Sequence, residues 1–323
     1  MLTGAIIGFG AAAANGHWPA YAKSADIKIV AVVDRSDERR RAARELSIPL
    51  AFATMDDLAR NMALDFVDIC TPPALHVELV LEALRHGWNV LCEKPLVLHE
   101  PDVERLRDAM GESRRVVVPV HNWRYAPIIR RATALLRSGT IGELRQVEIE
   151  TKRFEDCAAV DPAQPGWRRD PAMAGGGILF DHGWHAVYLA RNWFNQDPSE
   201  VAATLHMIPE TTVDDEARLK LTFPSGVAEI FLTWRANARA NRIRLRGDKG
   251  EITIDDDRLT MGDESERFDS PLSRGSHHPE WFEAMLREVV ASFGSEELGR
   301  ERFEEAAVCL SVIRRAYDLA GMA

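Results

Sequence analysis

The sequence predicts an α/β fold in two parts: a parallel sheet covered by helices, followed by an α/β region built on an antiparallel or mixed sheet. Short apolar runs alternate with amphipathic segments up to about residue 121, and longer stretches of alternating polarity follow. With 323 residues the chain is long enough for two domains. We place them at residues 1–121 and 122–323, and we expect the last helix to pack back on the first domain.

The first part is built on five apolar runs typical of buried parallel strands, at residues 2–8, 27–33, 66–70, 88–92 and 116–120. Residues 37–46 place arginines and glutamates on one face and Ala42, Ala43 and Leu46 on the other, which is a helical pattern. The order of strand and helix is typical of a parallel sheet with helices on both faces.

The second part begins with a predicted helix at residues 126–137, followed by strands of alternating polarity. We predict strands at 144–150, 242–246 and 251–255, and an antiparallel hairpin of 216–223 and 227–234 around Pro224-Ser225-Gly226. Helices at 279–293 and 300–320 close the chain. This part is therefore expected to hold an antiparallel or mixed sheet.

Composition and charge narrow the classes of function. The net charge of -10 and the pI of about 5.5 argue against a nucleic-acid partner, which needs a basic surface. Four scattered cysteines without a Cys-x-x-Cys pair are typical of reduced thiols. The sequence shows no leader pattern and no apolar run approaching the ~18 residues of a membrane span. We expect a cytoplasmic protein with no membrane partner.

A dinucleotide site is predicted where Gly8-x-Gly10-x-x-Ala13 joins the first strand to a helix. The glycines allow the backbone to approach a pyrophosphate, and the helix start offers free amides, although a tight structural turn is the alternative. Asp34 ends the second strand, where a carboxylate binds the ribose 2′-hydroxyl and favours NAD. Arg35 could hold a 2′-phosphate, so NADP stays possible. The helix is expected to start late, near Trp18, because Pro19 suits only a first helical turn.

Two further turns follow predicted strands at the same edge of the sheet. Thr71-Pro72-Pro73 is expected either to carry backbone groups toward the nicotinamide ribose or to be a plain β-to-α turn. Glu93-Lys94-Pro95 follows the fourth strand, where open α/β sheets bind their ligands. We predict that the Lys94 ammonium faces both cofactor and substrate; a surface turn is the alternative.

The segment from Gly175 to His185 is the richest in reactive side chains. Asp181 and His185 stand four residues apart, so on a helix they share one face, as an ordinary helix pair also would. Oxidation of a secondary alcohol needs a base for the hydroxyl proton, and histidine suits that task near neutral pH. Asp181 could orient His185, and Lys94 could stabilise the developing alkoxide. His182 makes a metal site conceivable, but we predict none, because this chemistry needs no metal.

Candidate substrate contacts lie in two other segments. Asn122, Arg124 and Tyr125 follow the fifth strand, and Trp167 with Arg168 belongs to a basic loop. His182 is a further candidate. A solvated loop is the alternative for Trp167 and Arg168.

Taken in order, these motifs resemble the glucose-fructose oxidoreductase, inositol dehydrogenase and rhizopine-catabolism (Gfo/Idh/MocA) family of NAD(P)-dependent oxidoreductases. The resemblance rests on the Gly-x-Gly opening with Asp34, Thr71-Pro72-Pro73 with His76 after it, Glu93-Lys94-Pro95, Asn122-x-Arg124-Tyr125, and the segment ending at His185. It covers essentially the whole chain. Members often carry an acidic residue three positions after the histidine, where this chain has Tyr188.

The resemblance implies a Rossmann-like domain and an α/β domain whose large, open, mainly antiparallel sheet often forms the subunit interface of dimers or tetramers. It implies that Lys94, Asp181 and His185 are the catalytic residues, with His185 as acid/base. We also predict cofactor contacts from His76 and Glu93; a role in capping or packing its helix is the alternative for His76. The expected activity is hydride transfer between nicotinamide and a secondary hydroxyl of a sugar, cyclitol or sugar derivative.

Two other functions are compatible with this fold. A cofactor-binding regulatory protein would be expected to have lost the Lys-His pair that this chain retains. An NAD-dependent glycoside hydrolase would oxidise its substrate only transiently and release product without net NADH.

Overall fold

The computed structural model describes residues 1–154, 166–209, 213–274 and 278–321. Contacts between Cα atoms divide the chain into two units. The first unit comprises Met1–Asn122 and Ser276–Ala307, and the second comprises Trp123–Gly275 and Val308–Ala323.

The first unit contains a six-stranded parallel sheet with the order β3-β2-β1-β4-β5-β6 among the described residues. The strands are β1 Leu2–Ile7, β2 Ile27–Val33, β3 Leu50–Phe52, β4 Phe66–Ile69, β5 Asn89–Cys92 and β6 Val117–Pro119. The parallel sheet predicted from the apolar runs is confirmed. Only β3 was not predicted, because its three residues are too short to show a pattern.

Helices follow these strands as they do in other α/β sheets. The α-helices of the chain are α1 Trp18–Lys23, α2 Asp37–Glu45, α3 Met55–Asn61, α4 His76–Arg85, α5 Glu100–Ser113, α6 Pro127–Arg137, α7 Pro171–Ala174, α8 Trp184–Phe194, α9 Pro279–Phe293 and α10 Glu296–Leu319. The side chains of Ser36 and Thr54 cap α2 and α3 by accepting hydrogen bonds from backbone amides. Within the described ranges, no helix is both long and apolar enough to cross a bilayer.

The α-helix α1 starts at Trp18, the late start predicted from Pro19. Helical backbone already begins at Ala11 and passes through a π-helical segment, Ala13–His17, before α1. Pro19 lies in the first turn of α1, where its missing amide hydrogen is tolerated. The π-helical segment places His17 in the interior, with 1% of its surface exposed.

The second unit contains an eight-stranded sheet, ordered β14-β13-β12-β11-β7-β10-β9-β8 among the described residues. Its strands are β7 Leu144–Phe154, β8 Glu200–Met207, β9 Asp214–Phe223, β10 Gly226–Thr233, β11 Arg235–Gly247, β12 Glu251–Asp255, β13 Arg258–Met261 and β14 Glu264–Arg267. Only β7 and β10 pair in parallel. The mainly antiparallel sheet and the hairpin of β9 and β10 are confirmed.

The sequence did not predict β8, β13 or β14, and it predicted only the second half of β11. All four residues of β14 are exposed, so this strand has no apolar alternation to reveal it. The register between β11 and β7 shifts between Arg235 and Ala240, which interrupts the period of two along β11.

The two faces of the second sheet differ in character. Apolar residues of alternate positions are buried on one face, among them Val147, Ile149, Leu219, Leu221 and Ile230. The opposite face carries charged residues of both signs: Glu148, Glu150, Arg218, Lys220, Glu229, Arg242 and Arg244. We call this the charged sheet face.

Candidate active site

The glycine turn after β1 fits a dinucleotide. Gly8 has φ +87°, and a Cβ there would meet the Thr71 Cγ2 atom at 2.7 Å, so only glycine allows this turn. A Cβ on Gly10 would meet nothing nearer than the Arg39 guanidinium at 3.8 Å, which leaves the turn open to a ligand. The buried Thr71 hydroxyl has no hydrogen-bond partner among the described residues. The helical backbone from Ala11 onward begins with free amides, as a phosphate requires.

Asp34 ties the end of β2 to the glycine turn. Its Oδ2 atom accepts a hydrogen bond from the Phe9 amide and its Oδ1 atom from the Ser36 amide, each at 2.8 Å. Arg35, the cation that the sequence indicated, is exposed, and its contact with the cofactor stays a prediction; Arg39 lies 3.8 Å from the Asp34 carboxylate. Arg39 could have been expected here, because it lies in the first turn of α2, which Ser36 caps.

The turns at Thr71 and Lys94 are joined by His76. This buried histidine bonds the Pro95 carbonyl through Nδ1 and the Thr71 carbonyl through Nε2, each at 2.8 Å. Burial lowers the pKa of His76, although both carbonyls favour a hydrogen on each ring nitrogen. His76 therefore holds the two turns together, and a direct contact with the cofactor stays a prediction.

Glu93 and Lys94 continue from β5, and the Lys94–Pro95 peptide bond is cis. The Glu93 amide donates to the Ile69 carbonyl at 2.9 Å, which extends the sheet pairing by one residue. The Glu93 Oε2 atom accepts a hydrogen bond from the Lys94 amide at 3.0 Å. The half-buried Lys94 is thus fixed at the carboxyl edge of the parallel sheet, the edge that also carries the Gly8 turn.

A buried ion triad lies behind this turn, and the sequence analysis missed it. His17 Nδ1 is 2.7 Å from Asp68 Oδ2, and His17 Nε2 is 2.9 Å from Glu93 Oε1. Tyr21 also donates to Asp68, at 3.0 Å. The side chains of His17 and Asp68 are fully buried, and that of Glu93 is 16% exposed. One imidazolium between two carboxylates leaves this cluster with a single net negative charge.

The pKa directions agree with an imidazolium at His17. Burial alone would lower the pKa of His17, but the charge and hydrogen bond of Asp68 raise it well above the ordinary value of 6.5. Burial alone would raise the pKa of Glu93, but the hydrogen bond and charge of His17 hold it below its usual range. Burial raises the pKa of the neighbouring Cys70 thiol to about 12, so Cys70 stays protonated.

In the second unit, Asp181 and His185 lie on continuous helical backbone. A π-helical segment, Leu179–Gly183, leads directly into α8. Asp181 lies 3.6 Å from His182 Nε2, and His185 Nδ1 is 3.0 Å from the Tyr188 hydroxyl. The Trp123 ring stacks on His185 at a centroid distance of 4.8 Å and an angle of 14°.

Asp214, a second residue that the sequence analysis missed, holds the glycine turn before this helix. Its carboxylate accepts hydrogen bonds from the Gly177 amide at 2.7 Å and the Leu179 amide at 2.9 Å. The Tyr317 hydroxyl donates to the same carboxylate. Burial raises the pKa of Asp214, and these donors oppose that rise. The buried Asp214 carboxylate therefore fixes this turn through its hydrogen bonds.

Gly177→Ala should lower the free energy of unfolding by about 1–3 kcal/mol, because the new Cβ overpacks a closed site. It would lie 1.8 Å from the Asp214 carbonyl oxygen. Denaturant unfolding of the purified variant measures this. The matched control is Gly111→Ala on the exposed face of α5, where a Cβ meets nothing within 4 Å. That control should gain up to about 1 kcal/mol from helix propensity. Equal stability of the two variants would contradict the account.

The remaining substrate candidates lie in varied surroundings. The Asn122 Oδ1 atom is buried without a hydrogen-bond partner among the described residues. The Arg124 guanidinium lies 5.8 Å from the centre of the Tyr188 ring, and Arg168 lies over Trp167 at 4.4 Å. Tyr125 is half-buried. Their contact with substrate stays a prediction.

Two clusters among the described residues are spaced closely enough to share a cation: His17 with Asp68 and Cys70, and Asp56 with Glu82 and His86. Both belong to the first unit. The side chains of the first cluster already bond one another: His17 Nδ1 lies 2.7 Å from Asp68 Oδ2, and Cys70 Sγ lies 3.5 Å from His17 Nδ1 and from Asp68 Oδ1.

Comparison with known proteins identifies the two halves of the chain. Residues 2–121 match the oxidoreductase family with an NAD-binding Rossmann fold, and residues 129–253 match the GFO/IDH/MocA C-terminal domain. The mouse trans-1,2-dihydrobenzene-1,2-diol dehydrogenase is 28% identical over 310 residues, which is 90% of each chain. The 1,5-anhydro-D-fructose reductase of Ensifer adhaerens is 30% identical over 207 residues, 63% of this chain and 61% of that one.

A solved structure agrees over nearly the full length. The aldose-aldose oxidoreductase from Caulobacter crescentus, complexed with glycerol, superposes with a TM-score of 0.83 at 26% identity. The match covers 99% of this chain and 97% of that one. The glycine turn and the parallel sheet fit the NAD-binding fold of the first match. The chain therefore belongs to the Gfo/Idh/MocA family of oxidoreductases and contains the family's NAD-binding Rossmann domain.

Proposed function

We propose that this oxidoreductase is an NAD(P)-dependent dehydrogenase that transfers hydride between a secondary hydroxyl of a sugar, cyclitol or sugar derivative and nicotinamide. One observation carries the proposal. Lys94 is fixed through its own amide to Glu93, at the same sheet edge as the Gly8 turn. His76 ties that lysine turn to Thr71, which touches Gly8. A cation at this edge suits an oxygen on which negative charge develops.

The proposed chemistry divides among three residues. Bound NAD supplies the hydride acceptor. The Lys94 ammonium donates a hydrogen bond to the reacting oxygen, and His185 accepts the hydroxyl proton. Asp181, 3.6 Å from His182, holds negative charge near the imidazoles. In the reverse reaction, the reduction of the substrate carbonyl, His185 donates the proton that it accepts during oxidation.

Cofactor contacts are proposed for Gly8, Gly10, Ala13, Asp34, Arg35, Thr71, Pro72, His76, Glu93 and Lys94. The Asp34 carboxylate at the end of β2 supports NAD. Arg39, beside Asp34 and Gly10, is a second cation besides Arg35 that supports NADP as an alternative cofactor. A cytoplasmic location is part of the proposal and is supported by the free thiols of Cys70, Cys92 and Cys309.

The proposed class of substrate is inferred from the names of two similar proteins. One is named a 1,5-anhydro-D-fructose reductase and another an aldose-aldose oxidoreductase, and both names denote sugar chemistry. We infer a sugar or polyol for this chain, held by Asn122, Arg124, Tyr125, Trp167, Arg168 and His182.

The test is the formation of reduced nicotinamide, followed by absorbance, across polyols, cyclitols and sugars with NAD⁺ and NADP⁺. A substrate-dependent rise supports the proposal. A flat trace with every compound, despite measured NAD binding, contradicts it. Product analysis of glycosides under the same conditions then distinguishes hydrolysis without net NADH.

We further propose that the charged sheet face pairs with a second copy of the chain. Acidic and basic side chains alternate on it, as in the Arg244–Glu148 pair at 2.9 Å and the Arg242–Glu150 pair at 3.8 Å. A face carrying both signs can be complementary to itself across a two-fold axis. The half-buried Phe231, with Arg218 3.9 Å from its ring centre, supplies an apolar anchor.

Light scattering during size-exclusion chromatography should therefore give a dimer or tetramer of the 36.2 kDa chain. Phe231→Lys should reduce the mass to that of one chain or one dimer, because it removes the apolar anchor and places a second positive charge beside Arg218. Arg300→Glu, on the exposed side of α10, is the control and should keep the wild-type mass. A monomeric wild type at micromolar concentration would contradict the proposal.

A further inference from the structure

The hydroxyl of Tyr188 contacts His185, the proposed acid/base. The distance from Tyr188 Oη to His185 Nδ1 is 3.0 Å, and both residues are on α8, three positions apart. Both side chains are buried, since Tyr188 is 0% exposed and His185 5%. A buried hydrogen bond of this kind fixes the rotation of a ring.

Tyr188 is itself held in place by Trp123, the first residue of the second unit. The Trp123 amide donates to Tyr188 Oη at 3.0 Å. The indole of the same residue stacks on His185, and the His185 and Tyr188 rings meet edge to face at 81°. Trp123 therefore contacts both residues: its backbone amide donates to Tyr188, and its ring stacks on His185.

From these contacts we propose that Tyr188 is a positioning residue for His185, a hydroxyl partner at Nδ1 that leaves Nε2 as the nitrogen for the substrate proton. The proposal rests on the proposed role of His185 in hydride transfer. A hydroxyl can donate to a bare Nδ1 or accept from a protonated one, whereas a carboxylate can only accept. Because Nε2 can accept a proton only when the neutral ring carries its hydrogen on Nδ1, the Tyr188 oxygen accepts that hydrogen in both protonation states of the ring, without placing a full negative charge beside it.

The surroundings keep the phenol neutral. Burial, the largest cause, raises the pKa of Tyr188 well above its usual range, and the Arg124 charge lowers it only in part. The other charged or titratable groups near the pair are His182, whose ring centre lies 6.3 Å from that of His185, and Asp181 beside it. Tyr125 and Cys309 also act on the phenol, and both raise its pKa.

The test is Tyr188→Phe, which removes one oxygen and keeps the ring in its buried site. Histidine NMR with ¹⁵N detection should show a changed Nδ1 shift for His185, assigned by its loss in His185→Asn. Tyr188→Glu should move the His185 titration to higher pH by at least about one unit, because a buried carboxylate stabilises the imidazolium. Ser225→Ala, which removes the hydroxyl that donates to Gln196 in the turn between β9 and β10, should leave the His185 signals unchanged.

Kinetics give the second readout. Tyr188→Phe should lower kcat about tenfold, as the loss of an orienting partner does, with a smaller change in KM. In a His185→Asn background the same substitution should cause no further loss, because the two residues act as one unit.

An unchanged Nδ1 shift in Tyr188→Phe would overturn the inference, whatever the activity. If the NMR changes occur but wild-type protein oxidises no substrate, the Tyr188–His185 pair stands and the proposed function fails. A turnover loss from Tyr188→Phe that is equally large without His185 would also overturn the inference, since Tyr188 would then act by another route.

Discussion

Lys94→Ala should lower kcat by at least about 100- to 1000-fold, the effect of removing one donor from a developing oxyanion. Affinity for NAD should change little, because the glycine turn and Asp34 do not depend on the lysine side chain. Steady-state kinetics on the best substrate measure the first effect, and titration of tryptophan fluorescence with NAD measures the second.

The control for this substitution is Lys23→Ala, whose side chain is 63% exposed at the end of α1 and should keep wild-type kinetics. Lys94→Arg separates charge from shape, since arginine keeps the charge but not the compact ammonium. Turnover in Lys94→Ala within a few-fold of wild type would refute the role given to this lysine.

His17→Ala should destabilise the protein by about 3–5 kcal/mol, the usual result of removing one partner from a buried ion pair. Asp68 and Glu93 would lose the only imidazole that bridges them in the described structure. The loss should shrink as the pH falls, because the stranded carboxylates can then take up protons. Denaturant unfolding at several pH values measures the difference in stability between wild type and His17→Ala. The control is His86→Ala, which removes a partly exposed histidine.

The pH dependence of the wild type follows from the same triad. The pKa of His17 is raised on folding, so its contribution is fully present below pH 6.5 and is lost as pH rises through the folded-state pKa. The pKa of Glu93 is lowered from 4.5, so its contribution is present above that pH and lost on acidification. The triad should thus stabilise most between about pH 4.5 and 6.5. A His17→Ala variant as stable as wild type in that range would contradict an ionised triad.

Local patterns predicted most of the fold. The apolar strands of the parallel sheet and the hairpin of β9 and β10 carry strong period and turn signals, and the structure confirms them. Features that local patterns do not record were not predicted, among them the short β3, the fully exposed β14, and the helical backbone that precedes α1 from Ala11 onward.

The candidate site divides in a similar way. The turns at Gly8 and Lys94 could be predicted because a strand end and a residue type mark them. His17 could not, since its partners lie 51 and 76 residues away in the sequence. Asp214 likewise reaches the Gly177 amide from 37 residues away. The contact between Tyr188 and His185, by contrast, can be predicted from the sequence, because the two residues are three positions apart on a helix.

The most direct test of direct hydride transfer uses the best substrate labelled with deuterium at the carbinol carbon. Mass spectrometry of the reduced nicotinamide should show one deuterium gained per turnover, and Lys94→Ala should show almost none in the same time. Reduced nicotinamide without deuterium, or product formed with no reduced nicotinamide, would contradict the central claim.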